Sequence, residues 1–384
     1  MKISLLSHDV STNALGRAHV LARLLHQDHE VEIVGPASSG KIWPPLRADS
    51  TVPMRIIRDA ELATMAAEAT GDLLYSVKEL PASLGVALEA QRQRPRPLIA
   101  DIDDWEMGFR LEAIQAMFRS RFRDETRWVA RMLFGVHEPQ SLWRSARRER
   151  LTARADAVTV SSTWLAHRFG GTVIEHARDT SVLDPALFDR LATRAEIGLS
   201  PEQTVIVFMG SARRHKGLHA IVDALDLLGR EDITFLTVGG STGLPQRPWI
   251  RSLGTQPVAD LPRFLSMADL VVLAQDSGPA TKGQMPAKIY DALSMGCALI
   301  VTDVSDLRST VEGCGLVVAP GDTPALADAI ARLADDPEQA GELGQAGRRR
   351  AVERFSEDVI RPRLLALVDA TVTSFQQVES DHAA

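Results

Sequence analysis

The sequence predicts an α/β protein with two successive domains, each built on a doubly wound parallel sheet. Short apolar runs alternate with segments of helical periodicity throughout the 384 residues, which is typical of helices layered on parallel sheets. The runs lack alternation of apolar and polar residues, so we expect sheets that are covered on both faces. The pattern ends near residue 185 and begins again near residue 204, which indicates two domains with a cleft between them.

The first domain is predicted to open with a strand, "KISLLS" at 2–7, and a helix from about Gly16 to Leu25. Further apolar runs predict its other strands at 30–36, 72–77, 97–102 and 157–162. The second domain repeats the pattern, with strands predicted at 204–210, 233–240, 269–275, 298–303 and 315–320. Helical segments such as "GLHAIVDALDLLG" and "TPALADAIARLADD" separate these strands.

The domain boundaries follow from this succession of elements. We expect an N-terminal domain at 1–180 and a C-terminal domain at 181–355. A last helix is predicted at 356–376, where Pro362 must lie in the first turn or kink the helix. The polar tail at 377–384 is expected to be frayed.

Composition excludes several classes of protein. The net charge of −7 argues against a general nucleic-acid binder. Cys297 and Cys314 have neither metal-ligand spacing nor a disulfide framework, which fits a reducing compartment. The apolar stretch at the N-terminus is too short for a signal peptide, and no run approaches the ~18 apolar residues of a membrane span. We therefore expect a soluble cytoplasmic protein.

The stretch "FMGSARRHKG", residues 208–217, follows a predicted strand and opens a helix. Gly210 permits a tight turn, and backbone N–H groups at the start of the helix favour an anion. Arg213, Arg214 and Lys216 add positive charge that suits a diphosphate. The alternative interpretation is a solvated loop that happens to be basic.

A second stretch, "PAKIYDALSMG", places a proline at the start of a helix and a glycine just past its end. Ile289 and Leu293 form an apolar pair four residues apart, so they should face the core, and Asp291 falls on a different face. A carboxylate there can accept both hydroxyls of a ribose or a sugar, with the amides near 283–287 meeting its phosphates. Alternatively, Asp291 pairs with Lys288 on a wet surface, a contact worth about 0.2–0.5 kcal/mol.

A third stretch, "PLIADIDDWEMG" at 97–108, places Asp101, Asp103 and Asp104 at the end of a strand, where ligands bind in α/β folds. Three interpretations stay open. Asp-x-Asp can bind a divalent metal through oxygen ligands. It is also similar to phosphatases of the haloacid-dehalogenase type, whose first acid is a nucleophile, although Trp105 stands where those enzymes usually carry Thr or Val. The acids can also cap the helix that begins near Trp105.

The segment 119–150 is rich in arginine interleaved with phenylalanine and tryptophan. Such a segment can lie on an anionic membrane surface or hold an acidic acceptor, but a solvated helix face with its aromatics in the core is the more common case. His8, beside Asp9 at the end of the first strand, is either a cleft residue or an ordinary loop histidine.

Four stretches of the second half resemble, in order, the C-terminal domain of GT-B-fold retaining glycosyltransferases of family 4. They are "FMGSARRHKGLHAIVDAL", "RSLGTQPVADLPRFLSMADLVVLA", "PAKIYDALSMGCALIVTDV" and "GCGLVVAPGDTPALADAIARL". The likeness covers roughly residues 200–355, whereas residues 1–150 resemble the family only in outline. It implies two Rossmann-like domains facing across a cleft, with a nucleotide-sugar donor on the C-terminal domain and an acceptor on the N-terminal domain. It also implies that the last helix returns to the first domain.

The resemblance implies roles for individual residues. Lys216 would hold the donor diphosphate and assist catalysis, and Asp103 or Asp104 would orient the acceptor hydroxyl or the sugar. Asp291 would hold the ribose. The donor site would comprise Gly16, Gly210, Ser211, Arg213, Arg214, Lys216, the backbone of Gly254, Thr255 and Gln256 against the base, and Met285, Pro286, Ala287, Lys288 and Asp291. The acceptor-side candidates are His8, Asn13 and Trp105.

Three positions depart from the family's pattern. Ser211 stands where the family usually has an arginine, so a neighbouring arginine is the candidate substitute. The family's paired glutamates, eight positions apart, become Gly283 and Asp291, which leaves the contact to the transferred sugar unassigned. Gly16 alone remains of the usual glycine pair in the first loop.

The implied activity is transfer of a sugar, with retention, from a nucleotide-diphosphate-sugar co-substrate to a small-molecule, lipid-linked or glycan acceptor. No metal and no tightly bound cofactor are expected, because protein cations and helix N–H groups stabilise the diphosphate. Nucleic acid is not an expected partner, while the segment 119–150 is a candidate for peripheral membrane contact. The alternatives are a nucleotide-sugar 2-epimerase of the same fold, a phosphatase that uses Asp101 and Asp103, and a catalytically silent donor-binding protein.

Overall fold

The computed structural model describes residues 1–58, 61–119, 141–210, 213–239 and 243–383. The chain divides into two compact units. The first unit comprises Met1–Glu175, Gly278–Met285 and Ile360–Ala384, and the second unit comprises His176–Ser277 and Pro286–Val359. Each unit is built on one parallel sheet, which confirms the predicted α/β class.

The first unit contains a seven-stranded parallel sheet with helices in the connections. Its strands are β1 (Lys2–Ser7), β2 (Glu30–Pro36), β3 (Met54–Ile57), β4 (Leu73–Val77), β5 (Leu98–Ile102), β6 (Ala157–Val160) and β7 (Thr172–Val173). Its helices include α1 (Leu15–His26), α2 (Leu62–Glu68), α3 (Val86–Gln93), α4 (Glu106–Arg119), α5 (Leu142–Leu151) and α6 (Thr163–Phe169).

The order of strands in this sheet is β3-β2-β1-β4-β5-β6-β7. The chain adds strands on one side of β1 and then, from β4 onward, on the other side, so the switch point lies between β1 and β4. Leu5 of β1 lies opposite Ile33 of β2 on one side and Tyr75 of β4 on the other. In a sheet of this kind, ligands bind outside the carboxyl ends of the strands at the point of reversal. The residues that follow β1, β4 and β5 are therefore placed at the edge where a site is expected.

Helix α1 shows how the sequence directs the packing. Leu15, Ala18, Ala22 and Leu25 recur every three or four residues and are fully buried, which gives the helix one apolar face. That face packs on β1 and β2. Burial of a leucine side chain contributes about 1.5–3 kcal/mol, so the apolar period rather than capping holds this helix in place.

The second unit contains a six-stranded parallel sheet. Its strands are β8 (Thr204–Met209), β9 (Ile233–Val238), β10 (Ile250–Ser252), β11 (Leu270–Leu273), β12 (Ala298–Thr302) and β13 (Gly315–Val318). Its helices include α7 (Arg190–Glu196), α8 (Leu218–Leu228), α9 (Leu261–Ser266), α10 (Lys288–Ser294), α11 (Leu307–Thr310), α12 (Thr323–Asp335) and α13 (Pro337–Arg350).

The order of strands here is β10-β9-β8-β11-β12-β13, and the reversal lies between β8 and β11. An apolar cluster joins the sheet to its helices: Phe208 and Phe235 from the strands lie in it with Ile221 of α8 and Ile330 of α12, all of them buried. The carboxyl end of β8, where the basic stretch 213–216 begins, is thus held by a well-packed core.

The strands β3, β7 and β10 were not predicted from the sequence. Each is the outermost strand of its sheet, and their sequences are only "MRII", "TV" and "IRS". An edge strand pairs on one side and is less covered than a central one, so it does not need a long apolar run.

The last helix, α14 (Glu357–Ala383), is longer than predicted. The expectation of a frayed tail at 377–384 is wrong for 377–383, because the helix continues to Ala383. The residues "QVESDHA" have only modest helix propensity, so the sequence gives no strong sign of this continuation. Pro362 lies inside the helix rather than in its first turn. Within the first unit, Arg361 Nε donates to Asp28 Oδ2 at 3.0 Å and Arg363 Nη1 donates to Glu175 Oε2 at 2.9 Å.

Candidate functional site

The turn after β8 in the second unit has a backbone that only glycine adopts easily. Gly210 has φ 117° and Gly217 has φ 71°, both in a region that side chains disfavour. A Cβ atom on Gly217 would lie 1.6 Å from the carbonyl oxygen of Ala274, so no other residue fits there. Between these glycines, Arg214–Lys216 forms one short 3-10 turn that leads into α8.

The side-chain amine of Lys216 lies close to Gly210, at the start of this turn. A Cβ atom added to Gly210 would lie 3.7 Å from Lys216 Nζ, so the absence of a side chain leaves room beside the ammonium. Arg213 and Arg214 are exposed, while Ser211 lies outside the described residues. The structure thus brings together Gly210 and Lys216, at the edge of the sheet where anions are bound in this class of fold.

Lys288 brings a second amine to the carboxyl end of β8. Its Nζ lies 3.4 Å from the centroid of the Phe208 ring, and it has no hydrogen-bond partner among the residues that the structure describes. Burial and the positive charge of Lys216 lower the pKa of Lys288 well below its usual value, and Asp291 only partly opposes this.

Asp291 pairs with Arg178, not with Lys288. Arg178 Nε contacts Asp291 Oδ1, and Arg178 Nη2 lies 3.3 Å from Asp291 Oδ2 and 3.0 Å from the carbonyl oxygen of Ala287. The wet-surface pair with Lys288 is therefore wrong, because Arg178 offers a fork that matches the carboxylate. A carboxylate has about four acceptor positions, so it retains acceptors for further hydroxyls.

The remaining donor-side candidates are divided between the two units. Gly254 and Thr255 are exposed beyond β10, and the carbonyl oxygen of Gly254 accepts from the amide of Gly239 at 2.7 Å. Gln256 Nε2 donates to the carbonyl oxygen of Leu253 at 2.6 Å. Pro286 and Ala287 are half-buried ahead of α10. Met285 is 3% exposed and belongs to the first unit, and so does Gly16, where a Cβ atom would meet only Trp43 at 3.9 Å.

In the first unit, Lys78 forms ion pairs with the acidic residues that follow β5. Lys78 Nζ lies 2.9 Å from Asp103 Oδ1, 2.7 Å from Asp104 Oδ2 and 3.2 Å from Glu106 Oε1. Lys78 directly follows β4 and has φ 71°, an uncommon conformation for a residue with a side chain. Its ammonium lies among the carboxylates, where the sequence had suggested a divalent metal.

Three neighbouring groups have shifted pKa values. Burial raises the pKa of Asp103 to about 6, against the opposing charge of Lys78. Burial, reinforced by Glu106, raises the pKa of Glu79 to about 8, and its Oε2 has no hydrogen-bond partner among the described residues. Burial lowers the pKa of His8. Groups that exchange protons near neutral pH are characteristic of catalytic sites.

Asp101 is not a nucleophile. It is fully buried, and its oxygens accept from Arg17 Nε at 3.0 Å, Arg17 Nη2 at 2.8 Å and Thr159 Oγ1 at 2.8 Å. Arg17 Nη2 also donates to the carbonyl oxygen of Ile174 at 2.8 Å. The phosphatase interpretation is therefore wrong for this residue, because a substrate cannot reach it.

Trp105 is also a structural residue rather than a platform for an acceptor. It is 7% exposed, its Nε1 donates to Glu149 Oε1 at 2.6 Å, and the guanidinium of Arg168 lies 4.6 Å from its ring. Stacking on a sugar would require an accessible ring face, so the expectation that Trp105 lies on the acceptor side is wrong. Asn13 is exposed on the loop before α1.

The structure explains why no glutamate occupies position 283. A Cβ atom there would lie 2.8 Å from Leu165 Cδ2 and 3.0 Å from the Trp164 ring, and Ser162 Oγ donates to the carbonyl oxygen of Gly283 at 3.1 Å. The next residue, Gln284, donates from Nε2 to Asp104 Oδ1 at 3.1 Å. The amide of Gln284 thus lies beside the acids that follow β5.

Sequence reasoning missed Lys78, Glu79, Glu106, Gln284 and Arg178. Lys78 and Glu79 directly follow the predicted strand at 72–77, and this position at a strand end was the available signal. The pairings of Gln284 and Arg178 join residues far apart in the chain and left no local signal.

Two further expectations concern the segment 119–150 and metal binding. Residues 120–140 lie outside the described residues; of the remainder, Trp143 is 49% exposed and carries Arg147 at 5.9 Å from its ring. None of the described helices has both the length and the apolar character needed to cross a membrane. The described part of the chain contains no group of three or more His, Cys, Asp or Glu arranged to hold a metal ion.

Part of the chain is similar in sequence to known glycosyltransferases. Residues 203–336 match the family model described as glycosyl transferases group 1. The chain is 31% identical over 220 residues to D-inositol 3-phosphate glycosyltransferase of Jonesia denitrificans, a match over 52% of this chain and 51% of that protein. It is 29% identical over 171 residues to alpha-D-kanosaminyltransferase of Streptomyces kanamyceticus, over 39% and 42% of the two chains. The chain thus spans about half the length of the curated relatives it matches.

Solved structures are similar over nearly the whole chain. Anabaena HepE in complex with UDP-glucose has a TM-score of 0.74 at 18% identity, over 96% of this chain and 100% of that chain. Sucrose-phosphate synthase from Thermosynechococcus elongatus has a TM-score of 0.69 at 19% identity, over 97% and 100%. At such identities the likeness shows the fold. The chain has the GT-B fold, and its residues 203–336 are similar to the glycosyl transferases group 1 family.

Proposed function

We propose that the chain transfers a glycosyl group from a nucleoside-diphosphate-sugar donor to an acceptor hydroxyl. The observation that carries this proposal is the position of Lys216 over Gly210, inside the segment that matches group 1 glycosyltransferases. The curated relatives are named as glycosyltransferases, and HepE was solved with UDP-glucose. These names support the class of donor and leave its base and sugar open.

The second unit would bind the donor. Lys216 and Lys288 suit a diphosphate, which prefers several cationic donors at once. Asp291 keeps acceptor positions for ribose hydroxyls beside its pair with Arg178. The exposed backbone around Gly254–Gln256 would meet the base.

We propose a glycosyl transfer that requires no metal ion. The acceptor oxygen forms a bond to the anomeric carbon, and the bond from that carbon to the diphosphate oxygen breaks with both electrons on oxygen. Lys216 and its neighbouring cations stabilise the charge that grows there. The acceptor proton passes to the departing phosphate on the same face, which retains the anomeric configuration, and Asp103 or Asp104 orients the acceptor.

Nucleotide binding tests the donor site directly. Thermal unfolding is measured with UDP, GDP, ADP and dTDP, and we expect one of them to stabilise the protein by ~2.7 kcal/mol at a hundredfold excess over its dissociation constant. Lys216→Met should lose most of that shift. Lys2→Met, at the start of β1 in the first unit, is the matched control and should keep it. If none of the four nucleotides shifts the unfolding temperature, the proposal is wrong.

Turnover separates the transferase from the other proteins with this fold. We expect the donor to be consumed in step with a glycosylated acceptor, and Asp104→Asn to bind nucleotide normally while turning over slowly. A 2-epimerase would convert the donor without any acceptor. A silent binding protein would show nucleotide binding without loss of donor under any acceptor supplied.

A further inference from the structure

We propose that Lys288 takes up a proton when the diphosphate of the donor binds, so that donor binding is coupled to pH. This inference rests on the proposed donor site. It adds that binding of the donor changes the number of protons on the protein, which attraction between fixed charges alone would not do. It starts from the geometry at the carboxyl end of β8, where two amines approach positions 208 and 210 of one strand end.

The surroundings of Lys288 Nζ in the free protein disfavour a charge. The ammonium group has three N–H donors, yet the structure gives Nζ the face of the Phe208 ring at 3.4 Å and no hydrogen-bond acceptor among the described residues. An aromatic face replaces only part of the lost hydration. A buried amine without an acceptor is better accommodated as the neutral group.

Two charged groups among the described residues act on Lys288, one on the turn after β8 and one on its own helix. Lys216, from the turn after β8, repels a second positive charge. Asp291, on the same helix as Lys288, attracts it, but Arg178 already holds both oxygens of that carboxylate. Burial and Lys216 together lower the pKa of Lys288 well below its ordinary value.

A diphosphate between Lys216 and Lys288 reverses this balance. It adds negative charge and phosphate oxygens that accept from Nζ, and both favour the ammonium. The bound protein therefore holds one proton more than the free protein. By linkage, affinity falls as pH rises from the pKa of the free state towards that of the bound state, by about tenfold per pH unit for one proton.

Calorimetry of nucleotide binding measures the proton directly. UDP, GDP, ADP and dTDP are titrated into the full chain in two buffers with different enthalpies of ionisation, and the difference in observed heat gives the protons taken up. At about pH 8.5 the nucleotide itself contributes little, because a terminal phosphate has its second pKa near 6. We expect the wild type to take up a proton there with the nucleotide that binds.

Three variants separate a proton on Lys288 from other causes. Lys288→Met should bind roughly tenfold to a hundredfold more weakly below the pH of the transition and take up no proton. Lys288→Arg carries a permanent charge, so it should bind without proton uptake and with an affinity that is flat in pH. Lys2→Met should behave as the wild type, and circular dichroism shows that each variant is folded.

The outcomes distinguish this inference from the proposed function. A nucleotide that binds the wild type without proton uptake overturns the role of Lys288 and leaves the donor site standing. Uptake that persists in Lys288→Arg also overturns it, because another group then takes the proton. If no nucleotide binds the wild type, both proposals are wrong.

Discussion

Lys78 combines two features that are each unfavourable for a lysine. Its backbone is left-handed at φ 71°, and its ammonium is buried among three carboxylates. A non-glycine residue in this region costs about 1–3 kcal/mol and persists only where its surroundings impose it. The carboxylates repay the burial of the charge, and the charge in turn keeps Asp103 from an even higher pKa.

Replacement of Lys78 should therefore move a pH profile. The pKa of Asp103 is about 6 with Lys78 in place, and Lys78→Met removes the main group that lowers it. We expect the acidic limb of kcat/KM to shift towards higher pH by roughly one to three units, because a larger fraction of Asp103 is protonated at each pH. The measurement is kcat/KM between about pH 5 and pH 9 around this pKa.

The control for that profile is Lys2→Met, which leaves the acids after β5 untouched. An unchanged acidic limb in Lys78→Met, with folding intact, would show that Asp103 does not titrate in the reaction. A uniform loss of kcat at every pH would point to a positional role for the lysine instead.

The individual residues show how far sequence reasoning reaches. Gly210 and Lys216 could be found because a glycine turn and a cation after a strand form a local pattern. The burial of Asp101 could not, since it depends on Arg17 from another part of the chain. Asp101 and Asp103 look equivalent in "ADIDDW". In the structure Asp101 lies within β5 and is held by Arg17, whereas Asp103 lies past the end of the strand beside Lys78.

At the scale of elements, the segment Gly278–Met285 is packed as part of the first unit. Its position 283 has no room for a side chain, and its carbonyl oxygen is held by Ser162. A glutamate at this position, as in the family's pattern, would collide with Leu165 and Trp164. The departure therefore agrees with the packing at this position.

Enlarging position 283 should destabilise the protein. Gly283→Ala is expected to lower the free energy of unfolding by about 1–3 kcal/mol, the usual cost of overpacking, and Gly283→Glu by more. Urea unfolding measures both. Gly85→Ala is the matched control: that glycine has φ −61° and open space around its Cβ position, so alanine should add about 0.4–1 kcal/mol of stability. A neutral Gly283→Ala would mean that Leu165 and Trp164 yield without cost.

Elements were predicted best where they are central. The core strands β1, β8 and β12 have long apolar runs because both of their faces are covered. The edge strands β3, β7 and β10 and the continuation of α14 past residue 376 depend on neighbours and on weak helix propensity, and neither produces a strong local signal.

At the scale of the whole molecule, each unit has its own sheet and its own apolar core. The proposed donor groups lie in the second unit, whereas the acids around Lys78 lie in the first. Binding of a nucleotide alone should therefore affect mainly the second unit.

Hydrogen exchange tests this assignment. On adding the nucleotide that binds, we expect slower exchange in 213–218, 252–257 and 286–292, because binding suppresses local opening of the segments that it contacts. Residues 76–79 and 101–106 should exchange as before. Protection centred on 101–106 instead would place the nucleotide at the acids and contradict the assignment of the donor site.

The first unit is assembled from three stretches of the chain, which meet the second unit's sequence at residues 175, 277, 285 and 359. A gene fragment that stops at residue 175 would lack the segment Gly278–Met285, which carries Gly283 and Gln284. It would also lack the terminal helix, whose Arg361 donates to Asp28. No single truncation can deliver either half intact. A chimera that exchanges one half with a homologue needs four junctions, and the short insertion 278–285 must travel with the half that precedes it.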